Sequence, residues 1–440
     1  MSVHARWPVL VLLAALLCVA GARAQPAAVT VRLGELLGPV PDLAVSGFNI
    51  GNAMQIVGSE EAYARLRLES LRFPPGNQAD EIAVGPTDLA ALALNLDLLG
   101  RPPLLLVTNL FGGTPEQAAQ LARLTKELDI EVLAWEIGNE PDLYASNRAD
   151  PSWTPERYCR EFRAYREELL EVDASYRFAG PAASGSRPRG EKYLREVLQR
   201  CGDVIDILSW HVYPTDGTWD DESALQTSRQ FGEEVRRYRS WVRSPEHNPL
   251  GFDRELQLAV TEFGLSWRSA SFRHLEDMTA TLWLADVLGQ MLTERLDLSN
   301  YFTIQGMGGH GLIDISGWVR PTFHVYEMLA PFDGQAVVVE VTGDNAGQPP
   351  VALGAYAVED DRTVRLLLVN RGNREVSVEI DAGARTVRED RARLRVLNEE
   401  IFDELGAPQD AILPRDAALL VPARGIVTLT IATGDEAEER

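Results

Sequence analysis

Eight short apolar runs recur between residues 43 and 306, with helix-like stretches between them. The runs are residues 43–51, 68–76, 103–110, 131–140, 177–184, 204–213, 256–264 and 298–306. Strand alternating with helix argues for a parallel sheet, because parallel neighbours need a long crossover, usually helical. Eight such units over residues 43–332 predict an α/β fold, a closed (β/α)8 TIM barrel. The alternative is an open doubly wound sheet, which calls for a Gly-rich phosphate loop after the first strand. Residues 47–51, GFNIG, do not supply one. The helices carry their own signals. Thr114, Pro115 and Gln117 form a capping box with proline at the first helical position. Tyr158, Phe162, Tyr165 and Leu169 fall on one face of a helix opened by Thr154 and Pro155.

After residue 332 the pattern changes to short alternating runs: 351–358, 363–369, 375–380, 394–397, 418–421 and 426–431. Turn residues such as Asp360-Asp361 and Asn370 to Asn373 separate them. Residues 333–434 therefore read as a C-terminal antiparallel β-sandwich. Residues 28–36 also alternate, so the segment 25–42 is expected to return and pair with that sandwich. Residues 435–440 are expected to be a disordered, acidic tail.

Residues 1–24 read as a signal peptide. His4 and Arg6 precede the apolar run 9–19, and Ala22-Arg23-Ala24 supplies a cleavage site after Ala24. The run is too short to span a membrane. Cys18 follows Leu17, not the small residue that lipoprotein processing needs. A secreted or periplasmic protein without a membrane span is expected. The formal net charge of −23 argues against nucleic acid, whose phosphates require basic patches. Cys159 and Cys201 remain after processing. One lies early in a predicted helix and the other at the end of the next. Parallel helices would set them at different heights, so two free thiols are expected.

The chemistry is carried by two glutamates, Glu140 and Glu262, each ending an apolar run. Side chains from different barrel strands converge at that face. Glycoside cleavage needs two carboxyls, one to protonate the leaving oxygen and one to capture or stabilise an oxocarbenium-like centre. Arg72, Asn139, His211, Tyr213 and Gln305 also stand near strand ends. Arg72 would hold a nucleophile ionised, Tyr213 would donate to the same group, and Asn139 would bind the sugar 2-hydroxyl. Glu136 shares a strand face with Glu140 and is assigned to buried structural pairing. Trp153, Trp219, Trp267 and Trp318 fall in the loops of the active face, and Trp267 is the favoured sugar-stacking ring. No H-E-x-x-H or G-x-S-x-G motif occurs, so neither a zinc site nor a serine hydrolase is expected. No cofactor is called for.

These residues carry a resemblance. WEIGNEP at 135–141 resembles the acid/base strand of the retaining clan A glycoside hydrolases, and within that clan the heparanase and β-glucuronidase family, glycoside hydrolase family 79. LRFPPGN at 71–77 resembles the clan's second-strand motif, and DILSWHVY at 206–213 the sixth-strand motif of heparanase-like enzymes. Glu262 matches the nucleophile position. Gln305, with the Gly-rich loop to Asp314, resembles their eighth strand, where most of the clan carries Trp. The resemblance implies a β-glucuronidase or heparanase-like enzyme that acts with retention on an oligosaccharide, polysaccharide or glycoside. Pentosidases of families 39 and 51 share the barrel, the motif and the sandwich. A non-catalytic carbohydrate-binding protein is the alternative of another class, and would have lost a carboxylate.

Overall fold

The computed structural model describes residues 27–51, 54, 56, 58–185, 188–268, 270–343, 352–387, 391–414 and 418–433. The proposed signal peptide, residues 1–24, and the tail, residues 435–440, lie outside the described residues. The first strand is β1 (Ala27–Pro39). Eight strands then close a parallel barrel in chain order: β2 (Gly47–Asn49), β3 (Ser70–Phe73), β4 (Leu104–Thr108), β5 (Val132–Ile137), β6 (Phe178–Ala183), β7 (Ile207–Val212), β8 (Gln257–Phe263) and β9 (Leu298–Tyr301). Each falls within one of the eight apolar runs. Their residues are almost all buried because the helices cover the outer face and side chains fill the barrel.

The helix signals act as read. In helix Pro115–Glu127, Gln117 N–H donates to Thr114 Oγ1 (3.3 Å) and Thr114 N–H to Gln117 Oε1 (3.0 Å). Tyr158, Phe162, Tyr165 and Leu169 all face inward from helix Pro155–Val172. The thiol expectation is wrong: Cys159 and Cys201 form a disulfide, with Cα atoms 5.7 Å apart. The helices are staggered, so the last turns of Pro188–Cys201 lie beside the first turns of Pro155–Val172. Arg163 accordingly reaches the Arg200 carbonyl (3.3 Å) and Asp203 (2.6 Å).

Beyond the barrel come β10 (Gln305–Gly306) and β11 (Ile313–Asp314), a small parallel pair. Then follow β12 (Gln335–Gly343), β13 (Leu353–Glu359), β14 (Thr363–Asn370), β15 (Val376–Asp381), β16 (Arg391–Leu397), β17 (Gln409–Pro414), β18 (Leu419–Val421) and β19 (Gly425–Ala432). These eight and β1 form one sheet in the order β17-β16-β19-β14-β13-β12-β1-β15-β18. It is hydrogen-bonded throughout instead of forming two separate sheets, and it curls over a single apolar core. Val29, Val31, Val376 and Val378 from one end share that core with Leu394, Val427 and Leu429 from the other. The pairs are antiparallel except β1 with β15. β1 lies between β12 and β15, so the N-terminal segment is built into the C-terminal domain.

Candidate active site

The polar groups gather at the carboxyl ends of the barrel strands. β5 ends at Ile137 and the chain turns at Gly138, whose φ is +81°. A Cβ there would come within 2.9 Å of the Leu110 Cβ, so only glycine fits this turn. Asn139 and Glu140 follow, and the Glu140 N–H bonds the Ala182 carbonyl at 3.1 Å. His211 on β7 and Glu262 on β8 are register partners on adjacent strands. Tyr213 leaves the end of β7, and Arg72 comes from β3.

Arg72, fully buried, organises the group. Its Nε donates to Glu136 (2.6 Å) and its Nη1 to Glu262 Oε1 (2.6 Å). The remaining bonds run from Nη1 to Asn49 Oδ1 (3.0 Å) and from Nη2 to Asn139 Oδ1 (2.9 Å). The Gly76 N–H (3.0 Å) and the Tyr213 hydroxyl (3.1 Å) donate to the two oxygens of Glu262. His211 Nδ1 stands 3.0 Å from Glu140 Oε1 and 3.7 Å from Glu262 Oε2. One ring nitrogen therefore links the two carboxylates.

The same contacts separate their proton affinities. Burial pushes Glu140 up and outweighs its bond to His211, while the Glu262 and Asp142 charges raise it further. Burial also raises Glu262. The His211 and Arg72 charges and the Arg72 and Tyr213 hydrogen bonds overcome that effect and leave it below the usual carboxylate range. Burial lowers His211, but the neighbouring carboxylates raise it on balance. The site thus drives the two carboxyls apart in proton affinity, Glu140 upward and Glu262 downward.

Both glutamates open into a cleft of about 530 Å³. Gly76, Asn77, Tyr213, Trp267, Phe302 and His310 line the part around Glu262. Leu143, Asn147, Ser184, Pro188 and Arg189 line the part beyond Glu140, on the segments after β5 and β6. Trp267 is 46% exposed and carries Arg268 over its ring at 4.3 Å. Among the other expected tryptophans, Trp153 is buried against Tyr144 and Phe111. Trp219 and Trp318 are exposed, and neither lines the cleft.

Gln305 does not line the cleft. Its Nε2 donates to the Asp314 carbonyl (3.0 Å) and joins β10 to β11. The eighth barrel strand ends at Tyr301, earlier than the apolar run suggests, and the aromatic ring facing the cleft from its end is Phe302. Asn49 is a site residue that sequence reasoning missed. Its amide donates to the Thr261 (2.9 Å) and Asn300 (3.0 Å) carbonyls while its oxygen accepts from Arg72. The available signal was one polar residue between Phe48 and Ile50 in an apolar run.

No family model matches the chain. It is similar to a β-xylosidase of Caldicellulosiruptor saccharolyticus, 22% identical over 259 residues, 54% of this chain and 49% of that protein. The match thus spans about half the length of that relative. The α-L-arabinofuranosidase of Thermotoga maritima, in a complex with arabinose, superposes with a TM-score of 0.73 at 16% identity, covering 92% of this chain and 100% of that one. The GH51 α-L-arabinofuranosidase of Thermotoga petrophila gives 0.71 at 16% identity, over 92% and 99%. At such identity these likenesses establish the fold, a closed eight-stranded barrel with a separate, largely antiparallel sheet domain. They lend no support to the heparanase-like family.

Proposed function

We propose that this chain is a retaining glycoside hydrolase that releases a terminal pentose, arabinofuranose or xylose. Glu262 is the nucleophile and Glu140 the acid/base. The observation that carries the reading is the pair of carboxylates facing one cleft, one raised and one lowered in proton affinity and both joined to His211. The nearer oxygens stand 3.0 and 3.7 Å from one nitrogen, which bounds their separation near the bottom of the roughly 6.5–9.5 Å range of inversion and admits the roughly 5–5.5 Å of retention. In the first step Glu262 attacks the anomeric carbon and the glycosidic bond breaks. The Glu140 proton goes to the departing oxygen. In the second, Glu140 takes a proton from water, the water oxygen bonds the anomeric carbon, and Glu262 departs as carboxylate.

The relatives named above favour a pentose over a uronate. So does the lining around Glu262. Among the described residues none of those lining the cleft there is Lys or Arg, and burial lowers His310. Arg72 is taken up by Glu136 and Glu262, and Arg268 lies over Trp267 beside Asp216 (4.0 Å), so a glycone carboxylate finds no unpaired cation there among the described residues. We also propose that the protein is exported and cleaved after Ala24. The Cys159–Cys201 bond suits an oxidising compartment, and N-terminal sequencing of the exported protein should begin at Gln25.

The deciding experiment follows an aryl arabinofuranoside and an aryl xyloside by proton NMR. The first-formed sugar should keep the anomeric configuration of the substrate, and an inverted product would remove Glu262 from its role. Glu140→Ala should still release a good leaving group, with azide restoring the second step.

A further inference from the structure

The cleft has two chemically different ends. The cleft wall around Glu262 is aromatic and neutral, whereas the wall beyond Glu140 adds Asn147, Ser184 and Arg189 to Leu143 and Pro188. Ser184 donates its hydroxyl to Asp142 Oδ2 (2.5 Å), so its lone pairs remain open to a ligand donor. Asn147 presents an exposed amide. Among the described residues, Arg189 is the only lysine or arginine lining the cleft. Among the described residues, other arginines at this barrel end are paired: Arg148 with Glu81, Arg157 with Asp150, Arg268 with Asp216, Arg273 with Asp221 and Arg320 with Glu276. Arg189 is exposed and has no hydrogen-bond or ion-pair partner among the described residues. Helix stability does not account for it. It is the second residue of helix Pro188–Cys201, where a cation opposes the positive end of the helix dipole. In a chain of net charge −23 such a residue has carboxylates to pair with elsewhere.

The proton held by Glu140 must reach the departing oxygen, so the leaving group lies on the Glu140 side of the cleft. We infer that Arg189 is a specificity-determining residue that binds the carboxylate of a uronic acid residue in the leaving group. This rests on the reading of Glu140 as the proton donor. The substrate class is then a neutral pentose attached to an acidic sugar, with charge read only on the leaving side. Guanidinium and carboxylate form a two-pronged, charge-assisted pair, and Ser184 and Asn147 are placed for the hydroxyls of the same residue.

The test uses a pentosyl-glucuronic acid disaccharide and its carboxyl-reduced, neutral counterpart. Both are titrated calorimetrically into Glu262→Gln protein, with and without Arg189→Gln. Arg189→Gln should weaken binding of the acidic disaccharide about ten- to a hundredfold, the range of a charged hydrogen bond. Binding of the neutral one should stay within about twofold. Equal weakening of both, no weakening, or no binding of either would overturn the inference. Hydrolysis of the neutral disaccharide by the unaltered protein is scored separately. Turnover without an Arg189 effect sinks this inference alone. An Arg189-dependent preference without turnover keeps Arg189 as the carboxylate-binding residue and sinks the hydrolase reading, and with it the assignment of that sugar to a leaving group.

Discussion

His211 is the residue through which the two carboxylates are coupled, and its removal tests their opposite proton affinities. Activity should rise with pH as Glu262 ionises and fall as Glu140 loses its proton, giving a bell. The His211 charge lowers both carboxylates, and its hydrogen bond lowers Glu140 as well. In His211→Phe both should titrate higher, so both limbs of the kcat/KM profile should move to higher pH. A profile lowered in height but unmoved would show that His211 only fills space. Asn139 offers a second test. Arg72 can only donate, so the Asn139 oxygen faces it and the amide nitrogen is left to meet substrate in the cleft. Asn139→Ala should lower kcat by about a hundredfold or more, because a bond to the sugar 2-hydroxyl strengthens in the transition state. An unchanged kcat would reassign Asn139 to structural support of Arg72.

At the scale of elements, the barrel was legible because strands buried on both faces read as continuous apolar runs. What escaped had no such signal. β17 is an edge strand whose side chains are mostly exposed, so it carries no alternation. β12 has an apolar start, QAVVVEV, but follows the last barrel helix with only a short connection. The disulfide depended on a stagger between helices that lengths alone do not reveal. Gln305 was misplaced because the apolar run continues past the true strand end at Tyr301. The strands that lead to Glu140 and Glu262 were the clearest part, since carboxylates at the ends of buried strands stand against the surrounding hydrophobicity. The Asp80 contact between loops was not legible either. Asp80, on helix Gln78–Glu81 after β3, accepts the Tyr144 hydroxyl (2.6 Å) from the segment after β5. Burial raises it to about 6. Its folded value exceeds that of the unfolded chain, so its contribution is complete at low pH and is lost as pH rises through about 6. Asp80→Asn removes that slope. The difference in unfolding free energy between the two proteins should change by about 2 kcal/mol from pH 4 to 7, in favour of the variant at the higher pH. A difference that stays flat across this range would show that Asp80 is not held protonated.

For the whole molecule the question is what couples the sheet domain to the chemistry. The contact runs through helix Met278–Glu294, which follows β8, the strand of Glu262. That helix is buried nearly all round because the barrel covers one side and β13 and β14 the other. Gly289 leaves room for the Tyr356 ring, which a Cβ there would overlap. At the centre of the interface Asp286, 1% exposed, accepts bonds from Ser228 Oγ (2.6 Å), the Tyr356 hydroxyl (2.8 Å) and Arg371 Nη1 (2.6 Å). Every donor but Ser228 comes from the sheet domain. Removing one partner of a buried pair leaves a charge without compensation, at a cost of about 3–5 kcal/mol, whereas replacing both by apolar groups is often nearly neutral. Asp286→Leu should therefore destabilise the protein by about that amount, and Arg371→Leu by a similar one. The double variant should be more stable than the sum of the two predicts, by at least about 1 kcal/mol. Denaturant unfolding followed by tryptophan fluorescence measures all three. Because the helix belongs to both domains, barrel and sheet should unfold in one transition in the unaltered protein. Separate transitions there, or strict additivity of the two substitutions, would show that the domains stand independently and that the sheet does not brace the strand carrying Glu262.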